Sequence, residues 1–173
     1  AAPQQRGRGG SGRAGVMRYK SAKKITARVS SVTNGFVQAI LPARKPCAED
    51  HAIYLAMLEI DPDNLTCAYC GDPAHHWDHL FPFVRSKRPS GYLNEPRNLV
   101  PACGPCNTSK SGNDWRTWMF GKAKRSPKSR NIGEIDRLAA RLEVFVTSAS
   151  LQEADLEALV PPDLWASYWN KRD

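Results

Sequence analysis

The chain has 173 residues, of which 41% are hydrophobic and 24% are charged, a composition typical of a globular protein with one domain, or one domain and an extension. No apolar run approaches the roughly 20 residues of a membrane-spanning helix, and no secretory signal pattern occurs, so we expect a cytoplasmic protein without membrane contacts. The formal net charge of +8 favours a polyanionic partner, of which nucleic acid is the commonest.

The N-terminal part divides into a predicted basic arm, residues 1–19, and a flanking segment, residues 20–64. The arm begins without large apolar side chains and should be flexible, either gathering phosphates or serving as a plain tail. The flanking segment contains the turn signal Asn34-Gly35, and its first half is predicted to form a strand or a short helix. A helix is predicted at its end, from Ala48 to Ile60, because Ile53, Met57 and Ile60 recur there at the spacing of one helix face.

Four of the five cysteines form two CxxC pairs, Cys67 with Cys70 and Cys103 with Cys106. A CxxC turn directs two thiolates to one point, and two such turns supply the tetrahedron of sulfurs that Zn²⁺ accepts. With four protein ligands this zinc has no open position, so the pattern predicts a structural zinc site. An iron–sulfur cluster is the less favoured alternative.

Near the cysteine pairs lie residues suited to phosphodiester hydrolysis: Asp78, His79 and Asn107. A histidine can deprotonate water near neutral pH. Carboxylate and amide oxygens are the ligands that Mg²⁺ prefers, and such a cation neutralises charge that develops on a phosphate. These three residues therefore predict a general base beside a divalent-metal site.

The segment CAYC…WDHLFP…NLVPACGPCNTSK resembles the HNH nuclease family, in its zinc-containing, restriction-endonuclease-like ββα-metal branch. The resemblance implies an α+β fold in which a ββα-metal core at residues 65–121 is stapled by zinc and flanked by helices. It also implies that Asp78 and Asn107 hold a catalytic Mg²⁺ or Mn²⁺, and that His79 is the general base.

By the same resemblance, Asn98 organises the loop between the two strands and helps to hold His79, and Lys110 contacts a phosphate. The chain departs from the family in a longer, more basic loop, FVRSKRPSGYLNEP, and in carrying Asn107 where a histidine is common. Strand alternation would place Asp78 and His79 on opposite faces, so the strand must end or bulge there if both are to reach one phosphate.

Basic residues flank these motifs and are candidates for contacting DNA phosphates. Some lie between the two predicted strands, and others lie in a basic linker at residues 122–130 that follows the core. The candidate DNA-binding residues are Arg85, Lys87, Arg88, Arg97, Lys110, Lys122, Lys124 and Arg125.

Residues 131–173 form a predicted C-terminal helical extension with a net charge of −4, which leaves +12 on the rest of the chain. Apolar residues at helical spacing, including Leu138 and Phe145, predict its first helix. A capping-box pattern beginning at Ser150 predicts a second helix. The extension is our candidate interface of a homodimer with aromatic anchors in the last helix, but it could equally fold over the zinc domain.

These patterns predict an endonuclease that cuts double-stranded DNA, of restriction or defence type. Two alternatives stay open: a nicking or mobile-element nuclease, and a non-catalytic zinc-ribbon module that binds nucleic acid. Metal-dependent cleavage distinguishes the last alternative from the others, and sequencing of the cut ends distinguishes the first two.

Overall fold

The structure, a computed structural model, describes residues 29–40 and 47–172. The predicted basic arm at residues 1–19 lies outside the described residues. The described chain has the predicted α+β fold, and none of its helices is long and apolar enough to cross a membrane. The helices are α1 Val29–Ile40, α2 Ala48–Met57, α3 Gly104–Lys110, α4 Trp115–Met119, α5 Ile135–Ser148, α6 Leu156–Leu159 and α7 Pro162–Arg172. The strands are β1 His76–His79, β2 Val84–Arg85, β3 Arg88–Pro89 and β4 Leu99–Ala102. A short 3-10 helix at Pro96–Asn98 precedes β4.

The centre of the molecule is a ββα unit formed by β1, β4 and α3. Strand β1 pairs antiparallel with β4, so that His76 lies opposite Ala102 and His79 lies opposite Leu99. Helix α3 follows β4 directly and packs on β1. The basic loop that distinguishes this chain forms its own hairpin, β2–β3, whose turn residues Ser86 and Lys87 both have positive φ values, as two-residue hairpin turns of the favoured twist require.

The main core joins the ββα unit to helices on both sides. Its buried side chains come from α2, the first cysteine pair, α4 and α5, and include Leu58, Trp118 and Phe145. The α5 stripe read from the sequence is confirmed, since Leu138 and Phe145 are both buried. In α2 the predicted apolar face is confirmed only in part: Met57 packs against the core and Ile60, just after the helix, is buried, but Ile53 is 54% exposed.

A smaller core joins α1 to the loop hairpin and to the C-terminal helices, and includes Val37 and Leu156. Its packing explains why the Asn34-Gly35 turn signal is overridden, since the chain continues as helix through both residues. The predicted capping box at Ser150 is also wrong: α6 begins later, and Asp155 accepts hydrogen bonds from the backbone N–H groups at its start.

The C-terminal extension packs on the rest of the chain through polar contacts as well as apolar ones. Glu153 pairs with Arg85 of the hairpin at 2.7 Å, and Arg141 of α5 pairs with Glu59 at 2.7 Å. In the last helix, Tyr168 is 5% exposed. The aromatic anchors expected at a dimer interface are therefore used, at least in part, within the chain.

Candidate active site and zinc centre

The four paired cysteines meet in one buried cluster. Their Sγ atoms all lie within 4.8 Å of one another, and the Sγ atoms of Cys70 and Cys103 are 3.7 Å apart. Zinc–sulfur bonds of about 2.3 Å in a tetrahedron place the sulfurs about 3.8 Å apart. The sulfur positions therefore fit a zinc ion, as the sequence predicts.

Local backbone geometry and electrostatics both favour a cation in this cluster. In the first CxxC turn, Gly71 donates its N–H to Cys67 O at 2.9 Å and has a φ of 78°, a conformation that glycine adopts without strain. Hydrogen bonds with Cys106 and Cys70 lower the pKa of Cys67 to about 4, and hydrogen bonds with Cys67 and Cys70 in turn raise the pKa of Cys106. Four thiolates so close together repel one another unless a cation binds them.

An arginine from the basic linker contacts this cluster. The Nη1 atom of Arg130 lies 3.7 Å from Cys106 Sγ, and its Nη2 atom donates to Asp72 Oδ2 at 2.6 Å. The ion pair with Arg130 lowers the pKa of Asp72. A guanidinium at this position offsets part of the negative charge that four thiolates bring to one Zn²⁺.

Asp78 is held from two sides by the elements that carry the cysteine pairs. Tyr69, which lies inside the first pair and is fully buried, donates its hydroxyl to Asp78 Oδ2 at 2.6 Å. Lys110, at the end of the helix that begins at the second pair, places Nζ 3.0 Å from the same oxygen and donates to His79 O at 2.8 Å. Both contacts use Oδ2, so Oδ1 is the carboxylate oxygen that can face a metal ion.

The predicted contact of Lys110 with a phosphate does not agree with its position in the structure. Its side chain is 0% exposed, and burial lowers its pKa against the opposing effect of Asp78. A buried ammonium beside a buried carboxylate stabilises that carboxylate and fixes its position. In this structure Lys110 acts on Asp78 and not on solvent-exposed phosphate.

The ring of His79 is oriented by a residue that sequence reasoning missed. His79 Nε2 lies 3.1 Å from Asn94 Oδ1, and because an amide oxygen only accepts hydrogen bonds, this contact favours the tautomer with the hydrogen on Nε2. The other ring nitrogen, Nδ1, is then the basic one. The ring also packs against Phe83, with 4.0 Å between ring centroids, and burial lowers the pKa of His79.

Asp78 and His79 share one cavity of about 530 Å³, which resolves the conflict with strand alternation. Strand β1 ends at His79, so the backbone leaves the sheet at that residue. Asp78 stays buried against Tyr69, while His79 turns toward Phe83, and both residues line the cavity.

Asn98 organises the loop, as the resemblance implies, but it does so through the backbone. Its fully buried side chain accepts from Phe81 N at 2.9 Å, donates to Phe81 O at 2.9 Å and donates to Leu93 O at 3.3 Å. The side chain that bonds directly to His79 belongs to Asn94. Asn98 therefore supports His79 only through the chain segments on either side of it.

Asn107 lies half-buried in α3, one helical turn before Lys110, and it is not among the residues that line the cavity. Asn113, just beyond the helix, does line it and donates its side-chain amide to Lys110 O at 2.8 Å. The structure thus brings Asp78 and His79 together, while the predicted role of Asn107 as a metal ligand stays a prediction.

Most of the predicted DNA-binding residues are solvent-exposed. Arg85, Lys87 and Arg88 lie on the hairpin, where Lys87 also lines the cavity. Arg97 is half-buried and pairs with Glu95 at 2.7 Å. In the linker, the predicted contacts Lys122, Lys124 and Arg125 are all exposed.

Residues 67–113 match the family model described as HNH endonuclease. The chain therefore carries an HNH domain, and its buried four-cysteine cluster is consistent with the zinc-containing branch of that family. The match covers about a quarter of the chain. Comparison with curated proteins and with solved structures produced no match.

Two site residues, Tyr69 and Asn94, could not be read from the motifs. Tyr69 occupies a variable position of the first CxxC turn, where spacing alone assigns no role. Asn94 lies in the loop that departs from the family pattern. It is fifteen positions from His79 and contacts it because the loop folds back. Asn98 holds that loop by hydrogen bonds to the backbone.

Proposed function

We propose that this protein is a metal-dependent endonuclease that hydrolyses phosphodiester bonds of double-stranded DNA. The observation that carries the proposal is the cavity shared by Asp78 and His79, in which one carboxylate oxygen and one imidazole nitrogen are available for chemistry. The HNH domain supports a nuclease activity with a metal site. We also expect the protein to act in the cytoplasm.

In the proposed reaction His79 Nδ1 takes a proton from the attacking water. Because burial lowers the pKa of His79, the ring is neutral and can accept that proton at neutral pH. Asp78 Oδ1 and the side-chain oxygen of Asn107 are the proposed ligands of a catalytic Mg²⁺ or Mn²⁺. A divalent ion held there would neutralise charge on the phosphate and the leaving oxygen.

Double-stranded DNA is the proposed substrate because exposed cations lie on the hairpin that lines one side of the cavity. Lys87 lines it, and Arg85 and Arg88 lie on the same hairpin. Contacts of this kind position the phosphate backbone without reading sequence. We favour a restriction or defence role, because one compact HNH module carries its own packed flanking helices.

The test is incubation of modified and unmodified plasmids with the protein and Mg²⁺ or Mn²⁺, followed by sequencing of the ends. The wild type should cut, and His79→Ala should lose about 10²-fold or more of the rate while still binding DNA. His75→Ala is the matched control, since His75 is exposed and does not line the cavity, and it should cut normally.

Each other outcome selects a different function. Binding without metal-dependent cleavage by the wild type would identify a zinc-ribbon binding module. Nicks without double-strand breaks would favour a nicking or mobile-element nuclease. Cleavage by His79→Ala at the wild-type rate would remove His79 as the base.

A further inference from the structure

One wall of the catalytic cavity comes from outside the HNH segment. Asn34 and Gln38 of α1 line the cavity together with Asp78 and His79, although α1 ends well before the family match begins at residue 67. The match therefore accounts for one wall of the cavity and not for the other.

The position of α1 is set by buried contacts on one face of the helix. The hydroxyls of Thr33 and Tyr168 are 2.8 Å apart, the rings of Phe36 and Tyr168 stack with centroids 4.1 Å apart, and Val37 is 2% exposed. The Thr33 hydroxyl also donates to Lys87 O at 3.4 Å, which ties α1 to the hairpin turn.

These contacts leave the cavity-facing side of α1 open. Asn34 and Gln38 are four residues apart, so they lie one above the other on the helix, and both are exposed. These two side chains lie at the cavity because the neighbouring face of α1 is packed against the rest of the chain. Without that packing, α1 would not be fixed in this position.

The chemistry of this wall suits part of a nucleic-acid strand. Each carboxamide offers two N–H donors and one acceptor without a charge, which matches phosphate oxygens as well as base edges. The cavity volume of about 530 Å³ is within the roughly 300–1,000 Å³ of pockets that enclose a small molecule. It can therefore hold a nucleotide-sized part of a strand.

We propose that Asn34 and Gln38 bind the DNA nucleotide next to the scissile phosphate, through hydrogen bonds from their carboxamides. The proposal rests on the proposed endonuclease function. In this proposal α1 positions the DNA strand on the side of the cavity opposite His79. Lys87 supplies positive charge in the same cavity.

The experiment compares the full-length wild type with the double variant Asn34→Ala, Gln38→Ala on a DNA pool randomised around the cut site. Loss of two hydrogen bonds should raise the enzyme concentration needed for half-maximal single-turnover cleavage about tenfold. Alanine is a better helix former than either residue, so α1 should persist, and thermal unfolding checks this. Gln152→Ala is the control, because Gln152 is an exposed amide outside the cavity.

The distribution of cut sites shows which groups are bound. If the amides contact base edges, sequence preference at one or two positions should relax, whereas contacts to phosphate should weaken cleavage equally at all sequences; either result supports the proposal. The proposal would be overturned by a folded double variant that needs the same enzyme concentration as the wild type for half-maximal cleavage and cuts with the same site distribution. Absence of cleavage by the wild type would instead reject the endonuclease function itself.

Discussion

At the scale of single residues, the site depends on how two polar side chains are held. Asp78 is fixed by the buried hydroxyl of Tyr69 and the buried ammonium of Lys110. Removing one partner of a buried ion pair typically costs about 3–5 kcal/mol, because the other charge is left uncompensated. The carboxylate that would bind the metal is therefore part of the folded core as well as of the site.

Asn94→Ala tests whether His79 is oriented by its hydrogen bond. Losing that bond should lower kcat about tenfold with little change in KM for DNA, because the ring is no longer held in one orientation. Burial lowers the pKa of His79 below its ordinary value of 6.5, while the bond to Asn94 raises it. The acid limb of the wild-type kcat/KM profile should thus lie below pH 6.5, and Asn94→Ala should move it lower still.

The measurement is the pH dependence of single-site cleavage for the wild type, Asn94→Ala and Asn64→Ala. Asn64 is exposed and does not line the cavity, so its variant should match the wild type. An Asn94 variant with an unaltered rate and profile would show that the hydrogen bond has no role in positioning the base.

At the scale of elements, the four-cysteine cluster supports Asp78 of the candidate site as well as the fold. The first cysteine pair contains Tyr69, and helix α3, which begins at the second pair, ends at Lys110. Both residues contact Asp78. Since binding energy of a structural zinc is folding energy, loss of zinc should unfold this region and release Asp78 from both partners.

Arg130→Ala tests the contribution of the linker to zinc binding. The guanidinium contacts Cys106 Sγ and Asp72, so its removal should weaken zinc affinity by at least about tenfold, as loss of supporting contacts around a metal commonly does. Zinc transfer to a chromophoric chelator measures this without reference to cleavage. Arg125→Ala, which removes an exposed cation of the same linker, is the control, and equal zinc transfer from both variants would contradict the prediction.

At the scale of the whole molecule, the chain holds one Asp78–His79 site within its described residues 29–40 and 47–172. A single site with one base attacks one phosphodiester at a time, so cutting both strands needs two chains or a reversal on the duplex. A symmetric dimer would match a palindromic target. Because Tyr168 packs against α1 inside the chain, its side chain is not available to anchor such an interface.

We predict that the active form is a homodimer on DNA. Light scattering of His79→Ala bound to a short duplex should give the mass of two chains and one duplex, and the wild type should convert a supercoiled plasmid directly to linear product. A complex with one chain, together with nicked product alone, would argue against the dimer and against the restriction-type function.

The cysteine pairs of the candidate zinc site and the Asp78–His79 pair could be predicted from the sequence alone. Each CxxC turn brings its own two thiolates together in any fold because the backbone between them is so short, and two such turns in one chain are typical of a four-sulfur metal site. The adjacency of Asp78 and His79 and the order of the motifs likewise predicted the HNH domain that the family match confirms. The apolar stripe of α5 could also be predicted from the sequence, because helical periodicity is a local property.

Only the tertiary structure decided which groups surround that pair. Lys110 is a surface cation by residue type, yet the packing of α3 on β1 buries it beside Asp78. Asn94 reaches the site from a loop within the matched segment, and Asn34 reaches it from a helix outside that segment. Such contacts join residues far apart in sequence, and their positions depend on the packing of whole elements, which no local pattern of residues records.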